Sequence, residues 1–284
     1  MARRALGPNL GRPGAPAPRP EGPVRVAVCC IKWGTKFGPE YVNVLRRAVA
    51  EHLSMPHRFV CLTDAPEGLD PEVTATPFPD FGLPRERWRR GSWPKVALFA
   101  EGVFADDEIV LYLDIDVMVT GALDDFIRLV IEKPGFHTLR EWNPALLKLL
   151  PLALRPVRGS QGSVYVWRAK MQRHIFDAFR NNVDHVLENY WSDRFFLPTI
   201  AVSPQYLPYD LCASFKRHCV WYWPLNIVLR RPKQPAWGRV LVFHGAPSPR
   251  DVMTDDPNRR WGGKRKFGYG PVPWVIDYWR RYTA

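Results

Sequence analysis

IVLYLDIDVMVTGALDDF, residues 109–126, decides how the rest of the chain is read. Ile109–Leu113 is a short, unbroken apolar run, which suits a strand buried on both faces of a parallel sheet. It leads directly into Asp114-Ile115-Asp116. Side chains at i and i+2 of an extended segment leave on one side. The two carboxylates therefore converge past the strand's carboxyl end if the extended geometry continues. Like charges held that close are unfavourable unless a cation lies between them. A hard divalent ion that prefers oxygen ligands, Mn²⁺ or Mg²⁺, fits such a pair. Val117–Val119 stays extended, Gly121 turns the chain, and Leu123–Ile131 reads as a helix that begins near two aspartates.

Upstream, Val24–Ile31 (VRVAVCCI) is another buried parallel strand, and Lys32–Gly38 (KWGTKFG) is a turn-rich loop. Pro39–Leu53 has apolar residues at Tyr41, Val42, Leu45, Ala48 and Val49, a helical spacing with proline in the first turn. His57–Leu62 and Val73–Pro77 read as strands, and Trp93–Glu101 as a helix. Downstream, Gly135–Leu139 and Ser163–Trp167 read as strands, Ala169–Arg180 as an amphipathic helix, Val240–Phe243 as a last buried strand and Trp274–Tyr282 as a terminal helix. Residues 184–215 are aromatic, broken by prolines, and give no clear assignment. Strands that alternate with helices imply an α/β fold, with a mostly parallel central sheet and helices on both faces. Ligands of such sheets collect outside the carboxyl ends of the strands. Asp114, Asp116 and His244, in His244-Gly245, all fall there. His244 would be the third metal ligand.

The 284 residues are 46% hydrophobic and 24% charged, which excludes a wholly disordered or fibrous chain. Residues 1–23, rich in Pro, Gly, Ala and Arg, are expected to be a disordered leader, and residues 24–284 a single domain. No run approaches eighteen apolar residues; the most apolar, Ala145–Leu154, contains Lys148 and Pro151. The first residues lack the apolar core of a signal peptide. Five cysteines form no disulfide framework. Cys29, Cys30 and Cys61 read as small buried hydrophobes, and a reducing, cytoplasmic compartment is expected. The formal charge is +12, and from Lys216 onward there are 14 basic residues against 4 acidic. Arg230, Arg231, Lys233, Arg259, Arg260, Lys264, Arg265 and Lys266 form two clusters there, and Arg85, Arg87, Arg89, Arg90 and Lys95 surround Trp88 and Trp93. Such a surface is either a solvated basic face or one that suits an anionic partner: lipid headgroups at the inner face of an anionic membrane, phosphorylated glycans, a nucleoside diphosphate or, last, nucleic acid. No zinc-finger, helix-turn-helix or RNP motif accompanies the charge, so specific nucleic-acid binding is not expected.

The 109–126 segment resembles the D-x-D region of GT-A-fold, Rossmann-like glycosyltransferases, especially the glycogenin-like and lipopolysaccharide galactosyltransferase group, glycosyltransferase family 8. Four further segments are similar in the same order. They are VAVCCIKWGTKFGPEYV, WPKVALF, QGSVYVWR and VLVFHGAPSP. The resemblance spans about residues 24–250. It implies a metal-dependent transferase that moves a sugar from a nucleoside-diphosphate sugar, UDP-linked, to a hydroxyl acceptor, with retention at the anomeric carbon. A bacterial cell-surface glycan or glycolipid is the expected acceptor. By the resemblance, Asp114 would touch ribose and metal, and Asp116 and His244 would be metal ligands. Lys95 would contact the donor, and Lys32, Trp33 and Gly34 would line the nucleotide pocket. Asp193 would sit by the transferred sugar or the acceptor. The sequence departs from the family pattern in three places. Gln161-Gly162 stands for the usual Asn-Ser, and Arg194 for the usual Gln. GAPSPR follows His244 without the usual Lys-Pro-Trp, so Lys216 or Arg250 becomes the candidate diphosphate cation. Two other readings remain open. One is a nucleotidyltransferase, for which KWGTKFG is a poor phosphate loop; the other is a non-catalytic nucleotide or sugar binder with a decayed site.

Overall fold

A computed structural model describes residues 24–284 apart from residues 90, 145–146, 148–149, 152–153, 223–224, 230, 264–267 and 284. The 1–23 leader, and the cations at Arg90, Lys148, Arg230 and 264–266, therefore lie outside the described residues. Seven strands form the main sheet: β1 (Val26–Lys32), β2 (His57–Thr63), β3 (Val73–Thr76), β4 (Ile109–Leu113), β6 (Phe136–Arg140), β7 (Ser160–Arg168) and β8 (Pro204–Tyr206). Their order across it is β3-β2-β1-β4-β7-β6-β8. A second sheet joins β5 (Met118–Val119), β10 (Val240–Val242) and β9 (Cys212–Ser214), in that order. The β3-β2-β1-β4 half is parallel throughout. Among the described residues of the main sheet, only β7 runs against both of its neighbours. The expected α/β class with a mostly parallel sheet is the fold observed.

Alternation along the central strands splits the core in two. Val26, Val28 and Cys30 face one layer, and Ala27, Cys29 and Ile31 face the other. The first layer holds α1 (Pro39–His52), α2 (Asp124–Glu132) and α6 (Pro273–Thr283). α1 buries Tyr41, Val42, Leu45, Ala48 and Val49, the stripe its sequence spacing predicts. The second layer holds α3 (His174–Arg180), α4 (Val183–Asn189) and α5 (Asp193–Ile200). All five cysteines are free and buried, as small hydrophobes in these layers.

Two helical expectations need correction. Trp93–Phe99 is a 3₁₀ helix. All seven of its side chains are buried, Lys95 included, so packing on every side sets its geometry. The helix expected over residues 169–180 breaks at Arg173, giving a short turn at Ala169–Gln172 and then α3. Arg173 pairs there with Asp106. The unassigned 184–215 stretch supplies α5, with Pro198 inside it, and strands of three residues at β8 and β9.

β7 matters most for the site. Because it is antiparallel to β4, its amino-terminal end lies beside the carboxyl end of β4, with Leu113 opposite Val164. The Asp114 amide then donates to the Ser163 carbonyl at 2.9 Å. Gln161, Gly162 and Ser163 thus reach the same edge of the sheet as the acidic pair.

Candidate active site

A cavity of about 790 Å³ opens at that edge. Its walls come from Ile31 and the loop after β1, from Lys95 in the 3₁₀ helix, and from the turn after β4. The start of β7, the start of α5 and Phe243-His244-Gly245 after β10 complete it. It is the position where an open α/β sheet binds its ligand.

Lys95 is the hub of its polar wall. Its ammonium lies 2.8 Å from Asp114 Oδ1 and 4.0 Å from Asp193 Oδ2. It also donates to the Gly162 carbonyl at 2.7 Å. Burial works against the charge, but the Asp114 and Asp193 carboxylates outweigh it and hold the Lys95 pKa above its ordinary value. Two stacked tyrosines floor the cluster. The Tyr112 hydroxyl donates to Asp114 Oδ1 at 2.5 Å and the Tyr165 hydroxyl to Asp193 Oδ2 at 3.0 Å, with ring centroids 5.7 Å apart. Gly162 is glycine for space. A Cβ there would lie 3.1 Å from the Tyr165 hydroxyl, 3.2 Å from Asp193 Oδ2 and 3.3 Å from Lys95 Nζ.

Asp193 is the first residue of α5 and 3% exposed. Its amide donates to the Gly91 carbonyl at 2.9 Å, which ties the loop before Lys95 to the start of α5. Burial pushes its carboxyl up to about 6, against Lys95 and Tyr165, which favour the charged form. The neighbouring Ser192 Oγ is buried at the cavity wall with no hydrogen-bond partner. Such an orphan suits a polar ligand atom.

Asp114 and Asp116 both line the cavity, but a turn brings them together. The Val117 amide donates to the Asp114 carbonyl at 3.3 Å, so the extended i, i+2 geometry expected from the sequence ends at Leu113. Burial, and then the Asp114 charge, push the Asp116 carboxyl up to about 7. A carboxylate pair held together against that opposition fits a divalent cation, which would relieve it. His244 lines the same cavity, but its Nε2 lies 2.7 Å from Ser214 Oγ and its ring stacks on Trp142. Burial, followed by Lys216, Arg217, Arg194 and His218, pushes its pKa down to about 2. The imidazole is thus neutral, as a ligand must be. Among the described residues, no three His, Cys, Asp or Glu side chains are grouped to hold an ion. The structure brings together Asp114 and Asp116, and leaves His244 on Ser214.

Of the nucleotide-pocket expectations, Trp33 lines the cavity and meets Trp88 edge-on. Gly34 also lines it, at φ +63, a conformation that glycine adopts without strain. Its amide donates to both oxygens of Asp64. Lys32 is not brought there. It is 4% exposed, and its ammonium donates to the Ala65 carbonyl at 3.3 Å, because strand alternation gives the cavity Ile31 and Trp33 and turns Lys32 away. The Lys216 ammonium donates to the His244 carbonyl, and Arg250 Nη1 donates to the Lys36 carbonyl at 3.0 Å. Lys36 itself lines the cavity, and its charge acts on Asp116. Sequence reasoning missed it; its only signal was a cation in the loop after β1. Tyr112 and Tyr165 were also missed, because both read as ordinary strand residues. Arg194 lines the cavity and pairs with Glu141 at 2.8 Å.

The sequence matches no family model and no curated protein. Solved structures do match. One is the galactosyltransferase LgtC in complex with donor and acceptor sugar analogs, with TM-score 0.55 and 15% identity over 90% of this chain and 95% of that one. An active-site mutant of LgtC gives TM-score 0.53 and 14% identity over 78% of this chain and 89% of that one. The glycosyltransferase GlyE of Streptococcus pneumoniae TIGR4 gives TM-score 0.52 and 13% identity over 92% of this chain and 61% of that one. The order of strands, the antiparallel β7 and the cavity at the sheet's carboxyl edge thus belong to the GT-A fold, which this chain shares with LgtC and other glycosyltransferases.

Proposed function

We propose that this chain is a glycosyltransferase that moves a sugar from a UDP-linked donor to a hydroxyl of a glycan or glycolipid, with retention at the anomeric carbon. The observation that carries the reading is the convergence of Lys95, Asp114 and Asp193 in one cavity of a GT-A fold. Asp114 and Asp116 would hold a divalent cation, Mn²⁺ or Mg²⁺. Held there, such an ion would supply positive charge to a departing diphosphate. Lys36 lines the same cavity, its charge acts on Asp116, and it would supply a second positive charge there. It takes the part of the Lys missing after His244. Trp33 and the Gly34 turn form the nucleotide side of the cavity.

On the sugar side, Lys95 fixes the Asp114 and Asp193 carboxylates relative to each other, and Tyr112 and Tyr165 fix their rotamers. Asp193 and the unpartnered Ser192 hydroxyl receive sugar hydroxyls. The chain's contribution to rate is positioning and charge stabilisation, and no side chain is required as a strong nucleophile. Thermal melts with nucleotides, and with UDP- and GDP-sugars, each with and without Mn²⁺, test the reading. A Mn²⁺-dependent rise with one UDP-sugar is expected, because a ligand that binds only the folded state stabilises it. Mn²⁺-dependent UDP binding without transfer or hydrolysis of any UDP-sugar would instead identify a decayed binder.

A further inference from the structure

We propose that the acceptor is a saccharide carrying an acidic group, a carboxylate or a phosphate ester, which Arg89 binds at the cavity mouth while the sugar ring lies on Trp191. The inference rests on the transferase reading for what becomes of the bound saccharide, but not for its binding. Trp191 lines the cavity and is 86% exposed, more than any other large hydrophobic side chain among the described residues. It directly precedes Ser192, whose buried hydroxyl has no partner, and Asp193, and both line the same cavity. An indole beside such polar groups offers a flat apolar face to the C–H face of a sugar ring. Backbone contacts fix its place. The Asp193 amide donates to the Gly91 carbonyl at 2.9 Å, and a Cβ on Gly91 would lie 2.9 Å from the Trp191 carbonyl. Gly91 also has φ +77, so glycine alone suits both demands. The loop before Lys95 and the start of α5 are thus held against each other. Arg89, two residues before Gly91, joins the same cavity wall.

Charge sets the ligand class. Residues 85–95 contain five basic residues and one acidic one. These cations differ in what they already hold. Lys95 faces Asp114 and Asp193, Arg85 pairs with Asp64, and Arg87 has Asp184 at 3.8 Å. Arg194, three residues after Trp191, pairs with Glu141. Arg89 is exposed on the cavity wall and, among the described residues, has no carboxylate, hydrogen bond or aromatic ring as a partner. A guanidinium presents a planar fork of donors that matches the paired oxygens of a carboxylate or a phosphate. A neutral acceptor would use Trp191 and leave Arg89 idle. The nucleotide side has its own cation in Lys36, whose charge acts on Asp116. A basic mouth also raises the local concentration of an acidic saccharide and speeds its encounter with the site.

Saturation-transfer NMR on the purified chain, with UDP and Mn²⁺ present, tests this with methyl glucuronide, glucose 6-phosphate and methyl glucoside as probes. At least one acidic probe is expected to bind roughly tenfold more tightly than methyl glucoside, and the two acidic arms tell carboxylate from phosphate. Arg89→Ala should remove that preference, and Arg89→Lys should restore part of it. Trp191→Ala should weaken acidic and neutral probes alike, and Trp191→Phe should restore them. UDP affinity, read by calorimetry, should be unchanged in all four variants. Acidic probes bound without UDP would support the subsite and overturn the nucleotide reading instead. UDP binding with no gain for either acidic probe over methyl glucoside overturns the proposal and leaves the nucleotide reading standing. A fall in UDP affinity in Arg89→Ala also overturns it, because Arg89 would then serve the donor. So does displacement of the acidic probes by duplex DNA at equal phosphate concentration, the mark of an unselective basic surface.

Discussion

Replacing Lys95 with methionine keeps most of the side-chain volume and removes one charge. In the native protein that charge faces Asp114 at 2.8 Å and Asp193 at 4.0 Å, and the ammonium also satisfies the Gly162 carbonyl. Lys95→Met therefore leaves two carboxylates without their shared counter-charge and a carbonyl without its donor, in a site where Asp193 is 3% exposed. Breaking a buried pair from one side costs about 3–5 kcal/mol. For a domain of this size that lowers the melting temperature by about 6–15 °C. The loss has a sign in pH. Without the ammonium, the folded-state pKa of Asp193 rises from about 6. A carboxyl with a raised folded pKa gives stability that is present below its unfolded value and lost as pH rises through the folded one. The penalty should therefore be small near pH 4, where the Asp193 carboxyl takes a proton, and grow towards pH 8. Metal-free urea unfolding of wild type and Lys95→Met at both pH values measures it. Equal stability at pH 8, or a penalty independent of pH, would refute the cluster as described.

Three further outcomes follow from the same geometry. Gly162→Ala should displace Lys95 and Asp193 by a few tenths of an ångström, because its Cβ would sit at 3.1–3.3 Å from three polar atoms. Transfer should fall about a hundredfold, with little change in melting temperature. Lys36→Met should weaken UDP binding roughly tenfold while sparing uridine, read by calorimetry, because a charge-assisted contact to phosphate is lost. Glu108→Gln should destabilise the fold by about 1–3 kcal/mol at pH 7, since Glu108 is buried and accepts from Arg58 at 2.7 and 2.8 Å. Burial opposes its charge, but Arg58 and the Ala105 amide hold its carboxyl below the ordinary value. That difference should disappear as pH falls through the depressed value, as acid-unfolding curves would show.

The fold was legible because its central strands are short apolar runs that end in polar turns, and because α1 has a clean helical stripe. The site was legible where residues sit directly past such strands, as Asp114 and Asp116 do. Legibility failed where tertiary packing decides. The seven buried residues of Trp93–Phe99 have no exposed face to set a period. Lys32 and Trp33 are adjacent in sequence, yet strand alternation sends them to opposite sides. Asp114 and Asp116 reach the same cavity through a turn that their spacing does not encode. The Tyr112 and Tyr165 pair forms only when antiparallel β7 lies beside β4, a pairing of residues far apart in the chain that no local pattern announces.

The carboxylate pair is the account's centre, and Asp116→Asn tests it most directly. Asp116 is pushed up to about 7 by burial and by Asp114, so the amide removes an unfavourable charge without changing volume. Calorimetric titration of UDP with and without Mn²⁺ at pH 8 should show Mn²⁺-dependent binding in the wild type and none in the variant, while the metal-free variant melts higher than the wild type. UDP binding to Asp116→Asn with unchanged Mn²⁺ dependence would contradict the site.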